Sequence, residues 1–255
     1  MLVHWRAAMA RLLRQLITGP DACHYLQEVA MTTESRVMVD VSPQELEELL
    51  ALGWRRFGPV YFRPICTGCQ ECISVRVPVA GFAPSANMKR VLKRGQGLRV
   101  EIARPTCDEV RLELHARWHS ARQGARGWDA SELDHEAYSL QFCFPHPSAL
   151  EFSYWDKDRL VAIGITDRTP NALSAVYCYY DPTDEKLSVG TFNVLSCIAR
   201  AREEKLEHVY LGYRVDGCAS LRYKGRFLPQ ERLVGRPEDV DAPVWTLSPR
   251  GPEDE

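Results

Sequence analysis

Missing from this 255-residue sequence is any run of about 18 apolar residues, the length a helix needs to cross a bilayer, so no membrane-spanning helix is expected. The opening stretch MLVHWRAAMARLLRQLITG has no uninterrupted apolar core and carries arginines throughout. That excludes the pattern of a secretory signal and leaves an amphipathic first helix, in a cytoplasmic protein, as the plainer expectation. A field of one sign is missing as well: the formal net charge is -2, so any contact with nucleic acid has to come from a local basic patch. Internal repeats and low-complexity tracts are absent, and no Ser-His-Asp pattern for a covalent nucleophile is visible.

With 45% hydrophobic and 26% charged residues, the chain can bury a substantial core as one large or two small domains. Three features set off an N-terminal part that is expected to end near residue 104: the Arg-rich opening, a cysteine loop around residues 64–72 and a basic segment beyond Pro84. RVMVDV alternates like a strand. Ser42-Pro43-Gln44-Glu45 then reads as a capping box with proline at the first helical position, opening a helix that stops at Gly53, and GWRRFGPVYFRP reads as a strand pair. Thr106-Cys107-Asp108-Glu109 is a second capping box that predicts a helix to about Gln123, with another from Ser131. LEFSYW, the turn Asp156-Lys157-Asp158, RLVAIGITD and LSAVYCYYD read as successive antiparallel strands, followed by a helix over 189–205 and the strand HVYLGY. Strands that meander, then one helix and a further strand, predict an α+β sheet with helices laid on it. The end of the chain is rich in proline and acid, so residues 236–255 are expected to form a mobile acidic tail.

Nine cysteines in a cytoplasmic chain point to free, buried or metal-bound thiols rather than disulfides. Cys66-Thr67-Gly68-Cys69-Gln70-Glu71-Cys72 spaces three thiols two residues apart, the arrangement a loop needs to turn several sulfurs toward one centre. A fourth ligand has to come from afar: Cys23, beside His24 and Tyr25, is the first choice, with Cys107 and Cys143 in reserve. Thiolates suit zinc or an iron-sulfur cluster; small buried hydrophobic residues are the alternative. Cys107, Cys143, Cys178 and Cys197 lie in predicted helices or strands without near partners and read as core.

The stretches CHYL, GWRRFGPVYFRPICTGCQECISVRVPV, LSAVYCYYDP, LSVGTFNVLSCIARA, VYLGY and YKGRFLPQE resemble, in order and spacing, those of the arginyl-tRNA:protein and bacterial leucyl-tRNA:protein transferases, over residues 23–231. The resemblance implies an N-terminal cysteine-cluster domain over residues 1–104 and a C-terminal acetyltransferase-like (GNAT-like) mixed sheet with packed helices over 105–235, which binds the aminoacyl end of a tRNA. Cys23, Cys66, Cys69 and Cys72 match the cluster positions, which independently favours Cys23 as the fourth ligand. The implied activity is transfer of leucine from leucyl-tRNA to the α-amino group of proteins beginning with Asp or Glu, tagging them for degradation. The short length resembles the leucyl branch; arginine is the alternative donor. The chain departs from the family pattern at Trp128, Arg214, Ser220 and Leu221.

Aminoacyl transfer from a tRNA ester to an amine is downhill, so such an enzyme has to hold the amine in attack geometry, accept its proton and stabilise an oxyanion. Asp181, ending LSAVYCYYD, is a candidate for orienting or deprotonating the amine, although Asp-Pro is also ordinary turn chemistry. Tyr213 and Lys224 are candidates through the family blocks they occupy. Ser188 and Gly190 open a helix whose first N–H groups would face a carbonyl or the terminal adenosine; an N-cap with a close-packing glycine is the alternative. Tyr177 is a candidate for substrate contact, and strand alternation keeps Tyr177, Tyr179, Tyr180, Tyr210 and Tyr213 from all lining one cleft. Arg76, a charged residue in an apolar strand, would suit an acidic acceptor side chain, with a surface-strand arginine as the plain reading. Lys89, Arg90, Lys93 and Arg94, at helical spacing, are the candidates for tRNA phosphates.

Two rival readings belong to other classes. One is a catalytically idle relative that senses redox state or iron through its cysteines. The other is an acetyltransferase using coenzyme A, which is disfavoured because residues 188–192 offer one glycine where a pyrophosphate loop needs more. No nucleotide cofactor is therefore expected, and the sequence specifies no oligomeric state.

Overall fold

The computed structural model describes residues 10–126 and 133–248. Strands β1 (Arg11–Ala22), β2 (Ala30–Val39), β3 (Arg55–Phe57) and β4 (Val60–Pro64) form an antiparallel sheet in the order β1-β2-β4-β3. Between β2 and β3 lies α1 (Pro43–Ala51), built as its sequence dictates. Ser42 Oγ accepts from Glu45 N–H, and the Glu45 side chain accepts from Ser42 N–H. At its other end Gly53, at φ +89°, donates to Leu50 O while Trp54 donates to Leu49 O; this left-handed stop turns the chain directly into β3. Leu46 and Leu50 bury one face of α1 against Trp54 and Tyr61.

The expected amphipathic first helix is corrected for residues 11–22, which form β1; the remainder of that stretch, residues 1–9, lies outside the described residues. Helical spacing of leucines carries little weight when no surface is available to bury the apolar face, whereas β2 offers a full row of hydrogen-bonding partners. Leu12, Leu13 and Ile17 accordingly remain exposed.

The second sheet has eight strands in the order β12-β11-β5-β10-β9-β8-β7-β6, the α+β architecture expected. Its members are β5 (Ile73–Pro78), β6 (Arg99–Ala103), β7 (Ala149–Asp156), β8 (Arg159–Arg168), β9 (Ala172–Tyr180), β10 (His208–Arg214), β11 (Gln230–Leu233) and β12 (Trp245–Ser248). The meander β7-β8-β9 is antiparallel as predicted, and β10 runs parallel to β9 and antiparallel to β5. Thus β5 and β6, which precede residue 104, are integral to the large sheet. Helices α2 (Ala86–Gly95) and α5 (Val189–Glu203) pack on one face around Val77, Phe152, Val161 and Leu211. On the other face, α3 (Glu109–Arg126) and α4 (His135–Phe142) bury Leu114, Trp118, Tyr138 and Phe142 against Ile163, Ile165 and Tyr179. A short helix α6 (Ala219–Arg222) precedes β11. Covered on both faces, β8 is buried through all but its end residues, which explains its unbroken apolar run.

Two further expectations shift. Helix α3 begins at Glu109, with Asp108 Oδ1 rather than Thr106 accepting the capping bond from Arg111 N–H. Helix α4 begins at His135 under an Asp134 cap; Ser131 and Trp128 lie outside the described residues. The stretch from residue 236 is tied down through residue 248, since β12 pairs with β11 and Arg236 donates to the carbonyls of Cys66 and Cys69. No described helix is long and apolar enough to cross a membrane.

Candidate functional site

Strands β9 and β10 pair for only three residues, from Ala172 opposite His208 to Ser174 opposite Tyr210, and then separate. Each carries an irregularity at that point. Val176 is an extra residue against β8, and Leu211 is an extra residue against β5, followed by Gly212 at φ +79°. Bulges bend strands, so two adjacent bulges splay this parallel pair and open a gap in the sheet. The gap is a cavity of about 580 Å³, walled by β3, β9, β10, the start of α5, part of α3 and the segment 219–224.

Lys224 lies on the cavity wall, in a 3-10 turn (Tyr223–Arg226), with Nζ donating to Tyr213 O at 3.0 Å. Burial, reinforced by the Arg55 guanidinium, lowers its pKa to about 7. A lysine in that range is divided between amine and ammonium near neutrality, so it can take up a proton. Tyr213, also in the lining, donates its hydroxyl to Gly53 O at 2.8 Å and is pushed well above the usual tyrosine range by burial. That phenol holds β10 against the β3 turn and is not poised to ionise.

The lining includes three further predicted residues, Tyr177, Ser188 and Gly190. Ser188, at φ +53°, caps α5 without any side-chain bond to the helix, so the first turn, whose Gly190 and Thr191 line the cavity, has no side-chain cap; Thr191 N–H is taken by Ser188 O. The Ser188 hydroxyl accepts instead from Arg94 Nη2 at 3.3 Å. A Cβ on Gly190 would stand 3.9 Å from the Tyr223 hydroxyl, so this glycine is not demanded by crowding. The bond from Arg94 brings the end of α2 to the cavity rim, and Lys89, Arg90, Lys93 and Arg94 are all exposed on that helix. Tyr180 and Tyr213 join Tyr177 in the lining, whereas Tyr179 and Tyr210 do not.

Two predicted residues stand elsewhere. Asp181 is outside the cavity lining; its carboxylate caps a 3-10 turn by accepting from Thr183 N–H and Oγ–H at 3.0 and 2.6 Å. Burial would raise that carboxyl, but the Thr183 bonds and the nearby Arg117 and Arg159 outweigh it and hold it below the usual carboxylate range. A carboxylate so engaged is a poor proton acceptor. Arg76 is equally occupied: it pairs with Glu231 at 2.5 Å, donates to the Tyr210 hydroxyl at 3.0 Å and covers the Trp245 ring at 4.3 Å, fastening β5 to β11 and β12. Its charge is neutralised away from the cavity.

Sequence reasoning missed Arg55 and Arg56, which it read only as part of a strand pair. Both are buried in the cavity lining. Arg56 forms a two-pronged pair with Asp167 on β8, its Nε at 2.9 Å. The signal was present: two consecutive arginines behind Trp54 in an otherwise apolar segment. Among the departures from the family pattern, Ser220 and Leu221 line the cavity, while Arg214 turns away to pair with Asp216.

All nine cysteines are free. Cys66 accepts from Thr32 N–H and Cys23 from Tyr25 N–H, both at 3.4 Å, and Arg236 braces the loop through two carbonyls. Burial pushes the Cys72 thiol up to about 12, assisted by Cys23, Cys66 and Cys69, so the four sulfurs share one electrostatic neighbourhood. Among the described residues no three His, Cys, Asp or Glu side chains are nevertheless drawn together at metal-ligand geometry. Tyr25, two residues after Cys23, reaches the cavity lining, so loop and cavity adjoin. Of the cysteines expected in the core, Cys197 is fully buried and Cys107 and Cys143 are partly so; Cys178 lines the cavity.

The sequence matches the family described as arginine-tRNA-protein transferase, N terminus, over residues 21–90, and its C-terminal counterpart over residues 110–234. It is 34% identical over 236 residues to the aspartate/glutamate leucyltransferase of Helicobacter hepaticus, covering 92% of this chain and 98% of that one. Identity to the enzyme of the same name from Pseudomonas fluorescens is 36% over 228 residues, covering 88% and 95%. Among solved structures, the C-terminal domain of a putative lysylphosphatidylglycerol synthetase from Agrobacterium fabrum aligns with a TM-score of 0.44 at 15% identity, over 58% of this chain and 47% of that one.

Proposed function

The chain belongs to the arginine-tRNA-protein transferase family, and within it we propose that it moves leucine from leucyl-tRNA to the α-amino group of proteins whose first residue is Asp or Glu. The names of the relatives support this donor and acceptor. The observation that carries it is the chemistry of the cavity wall. Among the described residues the one carboxylate in the lining is Asp167, already held by Arg56, while Leu50, Phe57, Phe62, Val176, Leu211 and Leu221 are apolar. A leucyl side chain finds partners there; the guanidinium of an arginyl donor would find no free acid, and burying it unpaired would cost several kcal/mol.

In the reaction, the acceptor nitrogen attacks the ester carbonyl, the C–N bond forms, and the bond from that carbon to the terminal ribose oxygen breaks. Lys224, as the amine, takes the proton lost by the acceptor nitrogen and returns it to the departing ribose hydroxyl. First-turn N–H groups of α5 stabilise the oxyanion, and the basic face of α2 holds the phosphates of the acceptor stem, with Arg94 at the junction. Asp181 has no part in this scheme.

Cys23, Cys66, Cys69 and Cys72 are the residues that would hold zinc or an iron-sulfur cluster. Their donor set is all thiolate, and two of the sulfurs already accept backbone N–H bonds, the support such ligands commonly receive. A bound metal would fix the loop that carries Tyr25 to the cavity. Metal analysis of anaerobically purified protein tests this.

Incubating the protein with an Asp-initiated peptide and either leucyl- or arginyl-tRNA, with mass spectrometric detection, decides the donor. A leucine added to the N-terminus is expected; arginine added in its place would move the chain to the other branch, and no ligation from either donor would refute the transferase reading.

A further inference from the structure

Among the described residues, Arg55 is the one buried arginine without an acid. It is 7% exposed, and of the described buried arginines Arg56 pairs with Asp167 and Arg63 with Glu34 and Glu238, whereas Arg55 makes no ion pair. Its Nη1 donates to Trp54 O at 2.7 Å and its Nη2 to Ser74 Oγ, but its Nε is buried with no partner. The nearest aromatic faces, Tyr210 and Tyr213, lie 5.6 and 5.5 Å away and cannot replace an anion. An uncompensated buried guanidinium destabilises a fold; a ligand that brings the counter-charge removes that penalty.

Arg55 and Lys224 flank one spot. A Cβ on Gly212 would stand 3.6 Å from Arg55 Nε and 3.4 Å from Lys224 Nζ, so the bare backbone of Gly212 leaves a small space bordered by both. An N-terminal aspartate or glutamate carries an amine and a carboxylate on one short residue, and is therefore able to reach both groups at once. Asp167 cannot compete for Arg55, because Arg56 holds both of its oxygens.

Building on the transferase reading above, we propose that Arg55 is the specificity-determining residue for the acceptor: its unpaired Nε receives the side-chain carboxylate of the N-terminal acidic residue while the adjacent Lys224 receives the proton of that residue's amine. The same guanidinium facing a tRNA phosphate is the competing source of an anion, and the two differ in what they make depend on the peptide.

The test compares Arg55→Gln and Arg55→Lys with the unaltered protein in leucine transfer to peptides that begin with Asp or with Asn, and in tRNA-free binding of the same peptides by calorimetry. Arg55→Gln is expected to lose roughly 100-fold in kcat/KM toward the Asp peptide, mostly in KM, with the Asp-to-Asn preference collapsing toward one. Arg55→Lys, which keeps the charge but not the fork, is expected to retain part of the preference, and serves if the glutamine variant does not fold. An equal loss with both peptides, or a rise confined to the KM for leucyl-tRNA, would overturn the assignment in favour of a phosphate or a purely structural role. Should the unaltered protein transfer nothing, the transferase reading fails on its own; the assignment of Arg55 then stands or falls on whether the protein binds the Asp peptide in preference to the Asn peptide and Arg55→Gln abolishes that preference.

Discussion

Lys224 owes its depressed pKa to where it sits, and this leaves a trace in stability as well as in rate. Its folded value of about 7 lies below the unfolded value of about 10.4, so between those pH values the unfolded chain holds the extra proton. Stability tied to this residue therefore rises from pH 7 toward pH 10 and is lowest below pH 7, where the buried ammonium must be tolerated. Lys224→Met is expected to melt higher than the unaltered protein at pH 6, with the advantage shrinking as pH rises toward 10; calorimetric melting temperatures across that range measure it. A pH-independent difference would mean an ordinary lysine. In the transfer assay kcat should increase through about pH 7 as the amine form appears. Only the family block it occupies singled out Lys224 among the lysines; its perturbation comes first from burial and then from Arg55, far earlier in the chain, and both arise only in the assembled sheet.

Among the elements, the caps and hairpins were legible because their signals act within a few residues. The Ser42 box, the Gly53 stop and the β7-β8-β9 meander all follow from local hydrogen bonding and period-two patterning. The first strand was not legible, because pairing with β2 overrides its own periodicity. The separation of β9 from β10 was hidden as well, since a bulge is defined by two chains and not by one. Where α5 crosses β8, Gly164 makes the contact possible: a Cβ there would lie 1.9 Å from Asn193 Oδ1, the atom that accepts from the Tyr154 hydroxyl at 2.8 Å. Gly164→Ala is expected to break that bond and cost about 2–4 kcal/mol, combining overpacking with a buried unsatisfied amide. Urea unfolding measures the loss, and because Asn193 also lines the cavity, kcat/KM should fall in the same variant.

At the scale of the whole molecule, the two sheets share an apolar cluster, in which Trp54 and Tyr61 pack with Ala172 and Tyr210, and are joined through buried polar contacts as well. Arg56 on β3 reaches Asp167 on β8, and Tyr61 on β4 meets His146 Nε2 at 3.1 Å. The ring orientation of His146 follows from the second contact it makes, Ser148 N–H donating to Nδ1, which leaves Nε2 as the donor to Tyr61. Asp167→Asn would leave Arg56 charged, buried and uncompensated, and is expected to destabilise the protein by about 3–5 kcal/mol. The melting temperature should drop by several degrees even though no apolar contact is lost; a change of less than a degree would show that water or another acid replaces Asp167.

The sequence by itself determined the local elements, the α+β class, the grouping of three cysteines in one loop and, through six ordered blocks, the family. It also pointed to Tyr177, Ser188, Gly190, Tyr213 and Lys224, which the fold brings to one cavity. Only the tertiary structure decided that Asp181 is a cap, that Arg76 is neutralised by Glu231, and which of the two arginines in GWRRF is, among the described buried arginines, left without an acid. The physical reason is the range of the forces involved. Backbone preference and capping are set by neighbours in the chain, whereas the state of a charge depends on which distant groups surround it, and sheet order alone brings those groups together.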